Sequence, residues 1–309
     1  MVAPALKRIL DRFALGGALD ALAERVAGTD VTTLLLEVMR RRAARVRPSD
    51  LVGRSARDRF TSTAPVSFAA LRRAEDAALR AAPEFEPLVL SPLAPFGLHS
   101  AIATVDQNKV VTTIRGNEVA ADPTNALALE AALRRRALLG DDPRSGLLVR
   151  LAAVQRVVRA QQVSGPRSFA HFSLAGFVTA GRDVGSGAFE SAALAEHLRI
   201  HAACAIALGA ERVRLAVTDF TGGEFAAALD AARDAATRID RVELAFDPAR
   251  ASGRGYYGGL CFKSHATFGA DELEIGDGGT VDWTARFVGS AKERCFISGI
   301  GLDRLALAS

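Results

Sequence analysis

The chain has 309 residues, 49% of them hydrophobic and 24% charged. That much apolar material excludes a disordered chain and supplies a core without disulfides or metals, while no apolar run is long enough to span a bilayer. Basic residues outnumber acidic ones by 39 to 35, for a net charge of +4, too weak a bias to mark a nucleic-acid binder. All but four basic residues are arginine, the exceptions being Lys7, Lys109, Lys263 and Lys292. With the abundant alanine, this reads as codon bias. Charges at Lys7, Arg8, Asp11 and Arg12 come too early for a secretory signal. Cys204, Cys261 and Cys295 are widely spaced, form no zinc pattern and suit a reducing, cytoplasmic location.

Residues 14–26, 32–46 and 68–81 read as helices. The second carries Leu34, Leu35, Val38 and Met39 as an apolar stripe with Arg40, Arg41 and Arg42 beside it, and Pro48 ends it. Arginine-rich faces of this kind are expected to be solvated or to rim a dimer. The character changes at Phe85. Residues 88–90, 100–104 and 109–114 read as strands, with 105–108 a hairpin turn. Asp122-Pro123-Thr124 opens a helix over 125–138, which Gly140 and Pro143 stop. Residues 145–159 read as a further helix and 161–168 as a polar loop. A strand over 172–179 leads through a glycine loop to a helix over 189–208. A strand at 212–217, a helix at 224–237 and a strand at 242–246 follow. Strands at 257–262 and 272–275 precede a turn at Asp277-Gly278-Gly279. A short strand at 296–298 runs into a terminal helix from 302. This order implies an α+β fold, a mostly antiparallel sheet flanked by helices. We divide it into a helical N-terminal region, 1–84, and a core, 85–309.

Three segments carry candidate chemistry. In the last, strand, glycines and helix succeed one another at Phe296-Ile297-Ser298-Gly299-Ile300-Gly301-Leu302-Asp303-Arg304. Such glycines let a planar ligand approach the backbone, and Arg304 can reach a phosphate. The second, 252–262, holds both tyrosines of the chain among glycines. If a strand, it directs Tyr256 and Tyr257 to opposite faces, one toward a pocket and one into the core. The third, 275–283, sets Asp277, Asp282 and Trp283 around a glycine pair, either as a recognition wall or as a turn with a core tryptophan. His197, His201 and Cys204 share a helix face. They are either packed side chains or a zinc set, though no carboxylate lies between the histidines.

In this order and spacing the three segments resemble the catalytic core of class II aminoacyl-tRNA synthetases, over roughly 88–309. The best likeness is to histidyl-tRNA synthetase and its paralogue, the regulatory subunit of ATP phosphoribosyltransferase. Gly299, Gly301 and Arg304 are similar to the family's third motif, which implies that Arg304 contacts the γ-phosphate of ATP. Tyr256-Tyr257 resembles the histidine-binding strand, and Gly278-Gly279 the start of a glycine-rich substrate loop. Asp122 and Thr124 resemble the Glu and Thr of the Arg-Pro-Glu-x-Thr helix entry. Phe172 to Phe177, with Glu190 later, resembles the second motif and its acidic residue, and His171 stands where that motif has Glu.

The departures concern arginines. Ala170 stands where the second motif has its α-phosphate arginine, with Arg167 three residues earlier. Ser252 replaces the arginine of the histidine-binding strand, with Arg254 two residues on. Thr280 and Ala120 stand at two further arginine positions. Amino-acid activation needs charge neutralised at the α-phosphate in the transition state. The resemblance with these losses implies an atypical paralogue that binds a nucleotide or amino-acid-like ligand, regulatory or repurposed, with ATP and Mg²⁺ as candidate cofactors. Arg304, Gly299, Gly301, Arg167, Phe172 and Glu190 are the nucleotide-side candidates. Asp122, Thr124, His171, Arg254, Tyr256, Tyr257, Gly278 and Gly279 are the substrate-side ones. The family's dimerisation through its first motif implies a homodimer. A partner would be a short-form ATP phosphoribosyltransferase or a carrier protein. Residues 209–252 leave no room for the family's insertion, and the chain ends five residues past Arg304, so charging of tRNA in the usual mode is not expected. The rival expectation is an ATP-dependent ligase that adenylates a carboxylic acid.

Overall fold

The computed structural model describes residues 4–161 and 169–309. Arg167 therefore lies outside the described residues. The chain divides into two compact units, Met1–Ser62 with Thr112–Asn117, and Thr63–Val111 with Glu118–Ser309.

The first unit holds helices α1 (Pro4–Arg12), α2 (Gly16–Asp20), α3 (Gly28–Ala43) and α4 (Pro48–Ser55), with a π turn at Ala21–Arg25 after α2. Pro48 does not stop α3, which has already ended at Ala43. It opens α4 in the first helical turn, where its missing N–H has no partner to lose. None of these helices buries a residue, and Ile9, Leu34, Val38 and Met39 stay exposed. The arginines of α3 are solvated: Arg40 and Arg41 fold back on Glu37 at 2.7 and 2.6 Å. Exposed pairs like these add little stability.

The rest of the chain runs α5 (Phe68–Arg80), β1 (Glu86–Pro87), β2 (Leu93–Pro95), α6 (Leu98–Ala103), β3 (Asn117–Val119), α7 (Pro123–Asp141), β4 (Val149–Val158) and β5 (His171–Arg182). It continues with α8 (Ala188–Ala207), β6 (Arg212–Asp219), α9 (Ala226–Thr237), β7 (Val242–Phe246), β8 (Leu260–Phe268), β9 (Asp271–Val281), α10 (Trp283–Val288), β10 (Glu293–Gly301) and α11 (Leu302–Ala306). Eight strands form one sheet in the order β1-β4-β5-β10-β9-β8-β6-β7. Pairing is antiparallel except at the two edges, β1 with β4 and β6 with β7. The α+β architecture with a mostly antiparallel sheet is as the sequence implies.

Alternation along each strand separates two layers. Behind the sheet, Phe177, Phe262 and Phe296 pack with Leu194, Leu198 and Leu305 from α8 and α11. In front, Val178 and Ile297 pack with Leu127 of α7 and Trp283 of α10. Helix α5, grouped by the sequence with the N-terminal region, packs into the rear layer through Ala70, Ala74, Ala77 and Ala78.

Several local expectations change. Residues 145–159 are mainly strand β4, not helix. Leu151 and Ala153 face the front layer while Ala152 faces the rear, so burial on both faces erased the period-2 pattern. Its valines suit the strand. Residues 100–103 belong to helix α6, bracketed by Gly97 and Thr104 at positive φ. Residues 105–108 are not a hairpin turn. They enter a 3₁₀ turn at Gln107–Lys109, capped by Asp106, whose carboxylate accepts from the Asn108 N–H at 2.9 Å.

Asp277-Gly278-Gly279 is no turn either: it lies inside β9. A Cβ at Gly278 would sit 2.6 Å from the Ile297 carbonyl and from Phe262, and one at Gly279 would sit 2.6 Å from Tyr257. These glycines exist to let strands and rings close up.

Candidate functional site

Helix α7 begins at Asp122, whose Oδ1 accepts the Thr124 N–H at 2.9 Å and the Thr124 hydroxyl at 2.7 Å. Pro123 fits the first turn because no helical partner exists there for an N–H. The cap fixes Asp122 at the front of the sheet. Its second oxygen, Oδ2, accepts from Arg159 Nη2 at 3.2 Å. Arg159 follows the end of β4, donates also to the Ala121 carbonyl, and lies over the Phe172 ring at 5.1 Å.

Across from this pair, the glycines of β10 make the floor. Gly299 and Gly301 face the front layer. An added Cβ at Gly299 would find its nearest neighbour 3.7 Å away, at Leu174, and at Gly301 3.6 Å away. Nothing in the protein requires glycine at these two positions, unlike Gly278 and Gly279. Their missing side chains leave open floor. Arg304, in α11, hydrogen-bonds the Glu274 carbonyl through Nη1. Beside it, the buried Asp303 anchors the helix. It accepts from the Ser173 N–H at 2.6 Å and from Arg156 at 2.8 Å.

The two tyrosines do not lie in a strand. They sit in a turn before β8, where the N–H groups of Tyr256 and Tyr257 both bond the Gly253 carbonyl, at 3.0 and 2.9 Å. This turn sends both rings into one pocket, packed edge to face at 4.9 Å. Trp283 is a core residue that backs Tyr256 edge-on at 5.7 Å. Burial, with the charges of Asp122 and Asp277 adding to it, holds both phenols well above their ordinary pKa, so they remain neutral. Asp277 lies within hydrogen-bond reach of Tyr257, and its side chain is 48% exposed toward the cavity. Surrounding protein nonetheless raises its carboxyl above the usual carboxylate range, against the pull of Arg250.

Together these groups enclose a cavity of about 320 Å³. Of the residues singled out by sequence, Asp122, Thr124, Phe172, Tyr256, Tyr257, Asp277, Ile297, Ser298, Gly299, Gly301 and Arg304 line it. The others do not. His171 starts β5, and its Nδ1 accepts from Arg156 Nε at 2.9 Å. Glu190, in the first turn of α8, pairs with Arg294 at 3.2 Å. Arg254 is exposed over the Phe220 ring. Gly278 and Gly279 are packed inside the sheet, as above.

Two functional candidates carried no signal in the sequence. Arg159 lines the cavity, and Arg250 lines a second chamber beside it. Asp277, named in the third candidate segment, lines both.

His197 and His201 sit behind the sheet. His197 bonds Ser298 at 2.7 Å and Thr179 at 3.1 Å, and His201 bonds Ser264 at 2.7 Å. Burial drives His201 down to about 3 and His197 well below its ordinary value. Burial also pushes the Cys204 thiol up to about 12, leaving it unreactive. Among the described residues, no three His, Cys, Asp or Glu side chains converge as a metal site.

No protein-family model and no curated protein matches this sequence. Solved structures do match in fold. An ATP phosphoribosyltransferase regulatory subunit/histidyl-tRNA synthetase from Bacillus halodurans aligns with a TM-score of 0.59 at 13% identity, over 81% of this chain and 83% of its own. A histidine–tRNA ligase subunit from Alicyclobacillus acidocaldarius aligns at 0.56 and 15%, over 79% and 94%. The apo histidyl-tRNA synthetase of S. aureus aligns at 0.56 and 13%, over 77% of this chain but only 64% of the enzyme. This is a distant structural relationship. The chain has the fold of the class II synthetase core, and at this identity the likeness speaks for fold alone. Among the described residues no helix is long and apolar enough to cross a membrane.

Proposed function

We propose that this protein is an atypical paralogue on the class II synthetase fold that binds a nucleotide or amino-acid-like ligand and serves a regulatory or repurposed role. One observation carries the reading: the cavity joins carboxylates, neutral phenols and two arginines above an unfilled glycine floor. Asp122 and Asp277 suit an ammonium group. Arg159 and Arg304 suit phosphate or carboxylate oxygens, and the floor suits a planar ring. ATP is the candidate: Gly299 and Gly301 would lie beneath its base, and Arg304 would face its phosphates. Mg²⁺ would enter on the nucleotide, held mainly by phosphates and water. A homodimer, with a short-form ATP phosphoribosyltransferase or a carrier protein as the partner, accords with this reading, as does lack of tRNA charging in the usual mode. Titration calorimetry with Mg-ATP and with each amino acid tests it. Saturable binding of at least one is expected, and no heat from any at millimolar concentration contradicts the proposal.

Arg159 favours a second reading, an ATP-dependent ligase. It supplies a cation inside the cavity, where the sequence implied that one was missing. In such a reaction a ligand carboxylate oxygen bonds to the α-phosphorus of ATP, and the bond to pyrophosphate breaks. The arginine would stabilise the charge gathering on the α-phosphate. Exchange of labelled pyrophosphate into ATP, dependent on an added acid, supports this reading. ATP binding without exchange excludes it.

A further inference from the structure

A second chamber, of about 340 Å³, adjoins the cavity and shares the walls made by Asp122, Arg159, Tyr256, Tyr257 and Asp277. Two buried side chains in its lining hold donors without partners among the described residues. Arg250 is 8% exposed. Its Nε donates to the Ser252 carbonyl at 2.8 Å, its Nη2 lies 4.0 Å from Asp277, and its Nη1 bonds nothing. Asn125, 1% exposed, also has an unpaired Nδ2.

The orientation of Asn125 follows from its neighbours. The Ala121 N–H donates to His99 Nε2 at 3.2 Å. His99 therefore carries its proton on Nδ1 and donates it to Asn125 Oδ1 at 2.6 Å. Turning the amide would lose that bond, so Nδ2 is held away from the histidine. Buried donors are almost always satisfied, and two unsatisfied ones in the same chamber lining call for a partner.

The charges agree in sign. Of the cations lining the chamber, Arg159 is matched by Asp122 at 3.2 Å and Lys263 by Glu274 at 2.6 Å. Among the described residues, Lys109 and the far side of Arg250 are left over, against Asp277 alone. We propose that this chamber is an anion subsite that takes a second acidic group of the ligand, a side-chain carboxylate or phosphate. This deepens the proposed function and rests on it: the first cavity binds the ammonium and backbone carboxylate of an amino-acid-like ligand, and the chamber selects its acidic end.

The test compares aspartate, glutamate and phosphoserine with asparagine, glutamine and serine by calorimetry, on wild type and on Arg250→Met and Lys109→Met. Phosphoserine against glutamate tells phosphate from carboxylate. Wild type is expected to bind at least one acidic ligand ten-fold or more tighter than its neutral counterpart. Arg250→Met should erase most of that preference, read as the ratio of acidic to neutral affinity. The exposed Lys109→Met should erase part of it, about three-fold, and guards against a folding defect in the first variant. Equal or tighter binding of the neutral ligands overturns the subsite and leaves the parent reading standing. So does an acidic preference unchanged in both variants. Binding of no amino acid overturns the subsite, and absence of Mg-ATP binding as well overturns the parent reading.

Discussion

Two buried arginines separate the structural half of the molecule from its working half. Arg135, fully buried in α7, grips Glu293 through two bonds at 2.7 and 3.1 Å, and also donates to the carbonyls of Ser145 and Leu147, at 3.0 and 2.5 Å. The guanidinium is closed off on every side. Arg250, almost as buried, has one firm bond and a free nitrogen beside an open chamber. Burial and residue type are the same. What differs is the hydrogen-bond account, and that account tells a residue that holds the fold from one prepared for a ligand.

The contrast can be broken by substitution. Arg135→Met leaves Glu293 buried and unpaired and should cost about 3–5 kcal/mol, read as a fall in denaturation midpoint. Arg250→Met leaves Asp277 half exposed beside solvent. It loses one hydrogen bond to the Ser252 carbonyl and the contact with Tyr257, and should cost about 1 kcal/mol, well short of the Arg135 loss. Similar losses for the two would refute the distinction.

The glycines give the same contrast at smaller scale. Gly278→Ala forces a methyl against Phe262 and the Ile297 carbonyl, at an expected cost of about 1–3 kcal/mol. Gly299→Ala meets only ordinary contacts and should leave stability within about 0.5 kcal/mol of wild type, while weakening any ligand that lies on the floor. Urea denaturation and ligand titration of both variants distinguish the two roles.

The rear histidines sharpen the comparison through pH. Their folded values lie below the ordinary 6.5, His201 near 3. Below pH 6.5 the unfolded chain takes up protons that the folded chain refuses, so stability is full above that value and falls with falling pH. Each histidine contributes a slope of about 1.4 kcal/mol per pH unit once fully below its unfolded value. Between pH 6.5 and 5, His201→Asn should flatten the measured slope by roughly one such contribution. An unchanged slope would mean that His201 is solvated.

Much of the fold was legible because its long elements are locally consistent. Helices α7 and α8 are long runs of strong helix formers, rich in alanine and leucine, and Asp122-Pro123-Thr124 is a strong start signal. Strand β4 was hidden because residues buried on both faces lose the alternation that marks a strand. Arg250 was hidden for a different cause. It lies in a loop, where no period exists, and its importance comes from contacts with Tyr257 and Asp277 that only folding brings together. The tyrosine pair was legible as a pocket signal but not as two rings on the same side, because that depends on the turn at Gly253.

The claim at the centre is that the front cavity is a binding site whose phosphate end is Arg304. Calorimetric titration of Mg-ATP into wild type and Arg304→Ala tests it most directly. Saturable binding to wild type and at least ten-fold weaker binding to the variant are expected, with equal thermal stability of the two. Identical titration curves for the two proteins would contradict it.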